Sequence, residues 1–140
     1  MKTYRFKSAK AVWERGEETT VNRWLVFRAE IKKSAESKIA LTASCAYVLR
    51  VNGEFIAFGP ARSAHGFYRV DEIDIAPYLK NETNIVTVTV AGYNVCSFYH
   101  LDQPSFLTAE IISGGRVVAA TGESGFICRR FTEHEEKVHR

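Results

Sequence analysis

Residues 24–32 alternate with a period of two. Trp24, Val26, Arg28 and Glu30 fall on one side, and Leu25, Phe27, Ala29 and Ile31 on the other. That is the pattern of a strand with one face toward a core. Residues 34–37 read as a turn and residues 38–43 as a second strand. The strongest local signal follows. Residues 47–51 run into Asn52-Gly53 and continue as residues 54–58. Asn-Gly between two such runs marks a two-residue hairpin, because both central residues of a type I′ turn need positive φ. The expected register sets Val51 against Glu54, Leu49 against Ile56 and Tyr47 against Phe58. The Leu49–Ile56 and Tyr47–Phe58 pairs are expected to face the core. Arg50 and Phe55 belong to the more exposed face. Gly59-Pro60 ends the strand, since proline has no N–H for a ladder.

Residues 61–67 read as a polar loop with Arg62, Ser63 and His65, and residues 68–75 as extended chain. Residues 76–79 form a single helical turn. In residues 84–90, Val86, Val88 and Val90 alternate with Thr87 and Thr89, a further strand. Residues 91–105 lack a period and read as a long loop, with a strand end near Tyr93. Residues 106–113 and 116–120 make a second hairpin across Gly114-Gly115, and residues 125–131 a last strand. The charged residues 132–140 are expected to be a tail, a short helix or the start of a linker. About eight short strands without a long helix predict an all-β fold. The expected form is one antiparallel β-sandwich over residues 1–131, jelly-roll or galactose-binding-domain-like.

Composition narrows the partners. The chain has 140 residues, 46% hydrophobic and 25% charged, and at this size about two-thirds of the unfolded surface can be buried. The net charge is only +3, and the only adjacent basic pairs are Lys32-Lys33 and Arg129-Arg130, which argues against nucleic acid. The longest mostly apolar stretch, residues 39–49, is too short for a bilayer, so no membrane partner is expected. No apolar run follows the first basic residues, so no signal peptide is read and a cytoplasmic location is expected. Cys45, Cys96 and Cys128 are widely spaced and odd in number, which fits neither a disulfide framework nor a zinc ribbon. No cofactor is expected.

One stretch carries a resemblance. Tyr47-Val48-Leu49-Arg50-Val51-Asn52-Gly53 leads through a second strand into Gly59-Pro60-Ala61-Arg62. An aromatic segment with Asp71, Asp74, Ile75 and Leu79 follows, then the strand from Asn84 to Val90, then the Gly114-Gly115 hairpin and Thr121. This order of motifs, over roughly residues 20–130, resembles the accessory β-sandwich domain near the N-terminus of bacterial α-L-rhamnosidases. The resemblance implies that Asn52, Gly53, Gly59 and Pro60 are a structural motif. It also implies partners in the catalytic and other domains of one longer chain. In that family an (α/α) barrel supplies the acid and base carboxylates, and nothing in these residues corresponds to it.

The residues themselves offer several chemistries. Inverting glycoside hydrolysis needs two carboxylates flanking a sugar. Asp71, Glu72, Asp74, Asp102 and Glu110 are candidates, but no spacing pairs them. Gly122-Glu123-Ser124-Gly125-Phe126 lacks the second glycine of a nucleophile elbow. Cys96 near His100 is a thiol–imidazole candidate, and His65 with His100 a metal candidate; surface and packing roles outweigh both. Sugar binding is better supplied, because sugars stack on aromatic rings and are fixed by planar polar groups. Arg62, His65, Tyr68, Tyr93, Asn94, Tyr99, His100 and Asp102 provide such groups. The competing roles are a cover for the sandwich end, a contact with a neighbouring domain, and an Arg62–Asp71 pair that anchors a loop. The leading expectation is a non-catalytic accessory domain of an α-L-rhamnosidase-like enzyme. The alternatives are an independent carbohydrate-binding module and a stand-alone hydrolase.

Overall fold

A computed structural model describes residues 2–64, 66–96, 100 and 102–133. Its strands are β1 (Arg23–Lys32), β2 (Ser37–Ala43), β3 (Ala46–Val51), β4 (Glu54–Gly59) and β5 (Asp71–Asp74). After a 3-10 turn at Ala76–Tyr78 come β6 (Thr83–Gly92), β7 (Leu107–Ser113), β8 (Arg116–Ala120) and β9 (Phe126–Arg130). Two antiparallel sheets form, a five-stranded one in the order β4-β3-β6-β1-β9 and a four-stranded one in the order β5-β2-β7-β8. They face each other as a β-sandwich. His65, Tyr99 and most of the charged tail lie outside the described residues.

The alternation in β1 buries Leu25, Phe27, Ala29 and Ile31, and that in β6 buries Val86, Val88 and Val90. These side chains meet Ile39, Leu41, Ala109 and Ile111 of the other sheet in one core. Such burial of apolar surface is the main favourable contribution to folding. Asn52 (φ 51°) and Gly53 (φ 80°) adopt the left-handed conformations that the tight hairpin demands. Asn52 does more than turn the chain. Its side chain accepts from the Ile85 N–H at 2.9 Å and donates to the buried Asn84 amide at 2.9 Å, tying the turn to the start of β6.

The hairpin register departs from expectation beyond its first two pairs. Val51 opposes Glu54 and Arg50 opposes Phe55, but Leu49 then opposes Ala57, Val48 opposes Phe58 and Tyr47 opposes Gly59. Ile56 is the extra residue of a β-bulge, which moves every later residue of β4 by one position and therefore to the opposite face. Phe58 consequently leaves the core and is 76% exposed. The expected Leu49–Ile56 and Tyr47–Phe58 pairings do not form, although Ile56 still packs against the core.

The N-terminal segment pairs with the edge of the four-stranded sheet and crosses its outward face over β7, leaving Lys38, Glu72 and Asp74 exposed. Val12 exchanges two backbone hydrogen bonds with Leu107, and Lys10 N–H donates to the Thr121 carbonyl. The anchor is Glu110, 0% exposed on the outward side of β7. Its carboxylate accepts from the backbone N–H groups of Lys7, Ser8 and Ala9 at 3.0, 3.0 and 3.2 Å, and from the Tyr4 hydroxyl at 3.2 Å. Burial pushes its pKa up, but the four donors together outweigh that and leave it below the ordinary carboxylate value.

Candidate functional site at the loop end of the sandwich

The strand order gathers three connections at one end of the sandwich: the β2–β3 turn, the β4–β5 loop and the β6–β7 segment. These carry most of the residues singled out from the sequence. A single polar and aromatic chain of contacts runs through them. The Tyr68 hydroxyl donates to Gln103 Oε1 at 2.8 Å, and the Gln103 amide donates to the Ser44 carbonyl at 2.5 Å. Next to Ser44, Cys45 Sγ lies 2.9 Å from His100 Nδ1. The His100 ring sits 4.7 Å from that of Tyr93, centroid to centroid, and Tyr93 meets Trp24 edge-on at 5.8 Å. Trp24 in turn stacks on Phe131 at 5.9 Å. Tyr68 also packs edge-on against Phe106 at 4.8 Å.

Electrostatics define what this end can do. Burial pushes the Cys45 thiol up to about 11, against a backbone hydrogen bond at Tyr93 that pulls it down. Burial and the nearby Arg62 cation lower the His100 pKa, and burial with the neighbouring Cys45 raises that of Tyr93. The pair is therefore a neutral thiol beside a neutral imidazole at neutral pH. A cysteine nucleophile needs the reverse, a depressed thiol pKa. The sequence pointed to Cys96 as the thiol near His100; Cys96 is exposed, and Cys45 is the thiol on the ring. Nothing in the spacing of residues 45 and 100 signals that contact.

The remaining candidates divide. Asn94 (φ 47°) turns inward, and its amide donates to Ser105 Oγ at 2.6 Å and to the carbonyls of Glu18 and Thr20 at 3.2 and 3.3 Å. It ties the loop down. Asp102 is exposed on the same segment, and Arg62 is exposed close enough to influence His100. The expected Arg62–Asp71 pair is replaced. Asp71 Oδ2 accepts from the Tyr47 hydroxyl at 2.5 Å, and Asp71 Oδ1 lies 3.8 Å from Arg69 Nε. Gly59 is required there for space: a Cβ on it would come 2.5 Å from Asp71 Oδ2 and 2.9 Å from Tyr47 Oη. His65 and Tyr99 lie outside the described residues. Among the described residues, no three His, Cys, Asp or Glu side chains converge as metal ligands.

Comparison with protein-family profiles and with curated protein sequences yields no match. Solved structures do match. A GH78 family rhamnosidase of Bacillus sp. GL1 is 33% identical with a TM-score of 0.80, over 91% of this chain and 14% of that one. The Streptomyces avermitilis α-L-rhamnosidase complexed with L-rhamnose is 16% identical with a TM-score of 0.52, over 91% of this chain and 12% of its own. The Aspergillus terreus α-L-rhamnosidase is 19% identical with a TM-score of 0.50, over 83% and 15%. The last two carry the fold alone. The chain thus resembles, over nine-tenths of its length, a β-sandwich segment that makes up about one-seventh of a GH78 α-L-rhamnosidase, and it fits a small accessory domain of those enzymes.

Proposed function

We propose that this chain is a non-catalytic accessory β-sandwich of an α-L-rhamnosidase-like glycoside hydrolase, packing on the catalytic domain and supporting the approach of a carbohydrate substrate. One observation carries the reading: a 33% identical match with a TM-score of 0.80 spans 91% of this chain but 14% of a rhamnosidase. The placement of the carboxylates supports the non-catalytic part. Glu110 is enclosed under the N-terminal segment, and Asp71 is held by Tyr47 and Arg69. Asp74 accepts from the Ala76 N–H at 3.0 Å, next to the 3-10 turn. Each of the three is engaged in a contact that holds the fold, a structural use rather than the acid and base roles of glycoside hydrolysis.

The test compares turnover of an aryl α-L-rhamnoside by the long polypeptide with and without residues 1–131, and by the 140-residue chain alone. The expected result is activity in the intact polypeptide, less activity or less stability after deletion, and none in the short chain. Turnover by the short chain that disappears on replacing one carboxylate would overturn the reading. The exposed Tyr68, together with Tyr93 and His100, favours a second reading, an independent carbohydrate-binding module. Titration with L-rhamnose, followed by tryptophan and tyrosine fluorescence, separates the two. Saturation at millimolar sugar supports the module, and a flat response leaves the scaffold.

A further inference from the structure

The two outward faces of the sandwich are treated differently. The N-terminal segment lies over the middle of the four-stranded sheet's face, whereas the outward face of the five-stranded sheet, met by Tyr93 at its Trp24 end, stays open around Phe58, Phe55 and Ile127. The strand registers align that open face in rows. Phe58, Val48, Thr89, Val26 and Arg129 follow one another across all five strands. The next row is Phe55, Arg50, Thr87, Arg28 and Ile127. Phe58, Phe55 and Ile127 are 76%, 56% and 55% exposed. Neighbouring strands lie about 4.8 Å apart and residues about 3.3 Å along them, so the face measures about 400 Å². That is one side of an inter-domain contact, which buries about 600–1,500 Å² in total.

The charges on this face select the occupant. Arg28 is paired with Glu30 at 2.8 Å, while Arg50 and Arg129 have no carboxylate partner among the described residues. Two copies meeting through this face would set these cations in one interface, an unfavourable arrangement. A surface with apolar side chains ringed by carboxylates would complement both properties. The matched rhamnosidase carries a similar sandwich as 14% of a longer chain, so under the accessory-domain reading the occupant is another domain of one polypeptide.

We infer that the outer face of the five-stranded sheet, centred on Phe58 and Phe55 and flanked by Arg50 and Arg129, docks an acidic-rimmed apolar surface of another domain of the same polypeptide. This rests on the accessory-domain reading and names the face it uses.

The test places photo-reactive p-benzoylphenylalanine at Phe58 in the long polypeptide and, in a second preparation, at Val118, which is exposed on the other sheet. The expected result is an intramolecular cross-link from position 58 to a peptide outside residues 1–140, with none from position 118. Arg50→Glu should abolish that cross-link while leaving the sandwich folded by circular dichroism. A cross-link from position 118 alone, a concentration-dependent cross-link between two copies, or no cross-link from position 58 would each overturn the inference. Failure of the accessory-domain reading is recognised separately, by unchanged turnover and stability after deletion of residues 1–131.

Discussion

The Tyr47 hydroxyl donates to Asp71 Oδ2 at 2.5 Å, joining the five-stranded sheet to the edge strand of the four-stranded one. Burial first, and then the carboxylate, raise the Tyr47 pKa, so the phenol stays a donor. The pair forms only because Gly59 has no side chain at that point. Tyr47→Phe should cost about 1–2 kcal/mol, since it leaves an inward carboxylate oxygen without its donor. Gly59→Ala should cost about 1–3 kcal/mol by overpacking. Urea unfolding measures both. The double variant should cost less than the sum, because the phenol that opposes the new methyl is already gone. An additive result would place the Gly59 effect elsewhere.

Glu110 makes a second kind of connection, holding the N-terminal segment through three backbone N–H groups and Tyr4. Glu110→Gln replaces one acceptor oxygen by an amide that faces N–H donors, and should cost about 2–4 kcal/mol. Amide exchange at Lys7, Ser8 and Ala9 should quicken more than exchange in β6. The pH dependence has a defined sign. The folded pKa lies below the ordinary value of 4.5, so Glu110 contributes its full stability above pH 4.5. That contribution is lost as pH falls through the folded value. Glu110→Gln should flatten this part of the acid-unfolding curve, and an unchanged curve would show that the segment is held by other contacts.

What the sequence could reveal follows from the range of the interactions. The alternation of Leu25, Phe27, Ala29 and Ile31 is local and reports burial directly, so the strands and the sandwich were legible. The bulge at Ile56 was not, because inserting one residue into a ladder leaves no mark on the hydrophobic pattern of residues 54–58. The pattern thus places Phe58 in the core, and the structure leaves it outside. Glu110 read as one more carboxylate in a strand, because its donors sit about a hundred residues earlier. At the loop end, aromatic and polar composition identified the region. It did not identify the contact of Cys45 with His100 across 55 positions, or the inward turn of Asn94.

The Cys45–His100 contact has consequences in solution. With its thiol pushed up to about 11, Cys45 should hold only about one part in a thousand as thiolate at pH 8. A maleimide or disulfide reagent should therefore label the exposed Cys96 long before Cys45 in the folded chain, and mild denaturant should remove the difference. Prompt labelling of Cys45 at neutral pH would contradict the neutral-pair reading. Arg62→Ala removes a cation that disfavours imidazolium, so the His100 titration followed by NMR should move to higher pH. A shift in the opposite direction would show that burial changed more than the charge did.

Asn94 separates a structural role from a binding one. Its amide donates to Ser105, Glu18 and Thr20, and its φ of 47° places it where an alanine is strained. Asn94→Ala loses both features and should cost about 2–4 kcal/mol, of which about 1–2 kcal/mol is the left-handed backbone. Asn94→Gly keeps the backbone conformation and loses only the amide, so it should be the milder of the two by about that backbone share. Thermal unfolding gives the ranking. If Asn94→Gly instead leaves stability untouched while changing a fluorescence response to L-rhamnose, Asn94 belongs to a sugar site and the loop-anchor assignment falls.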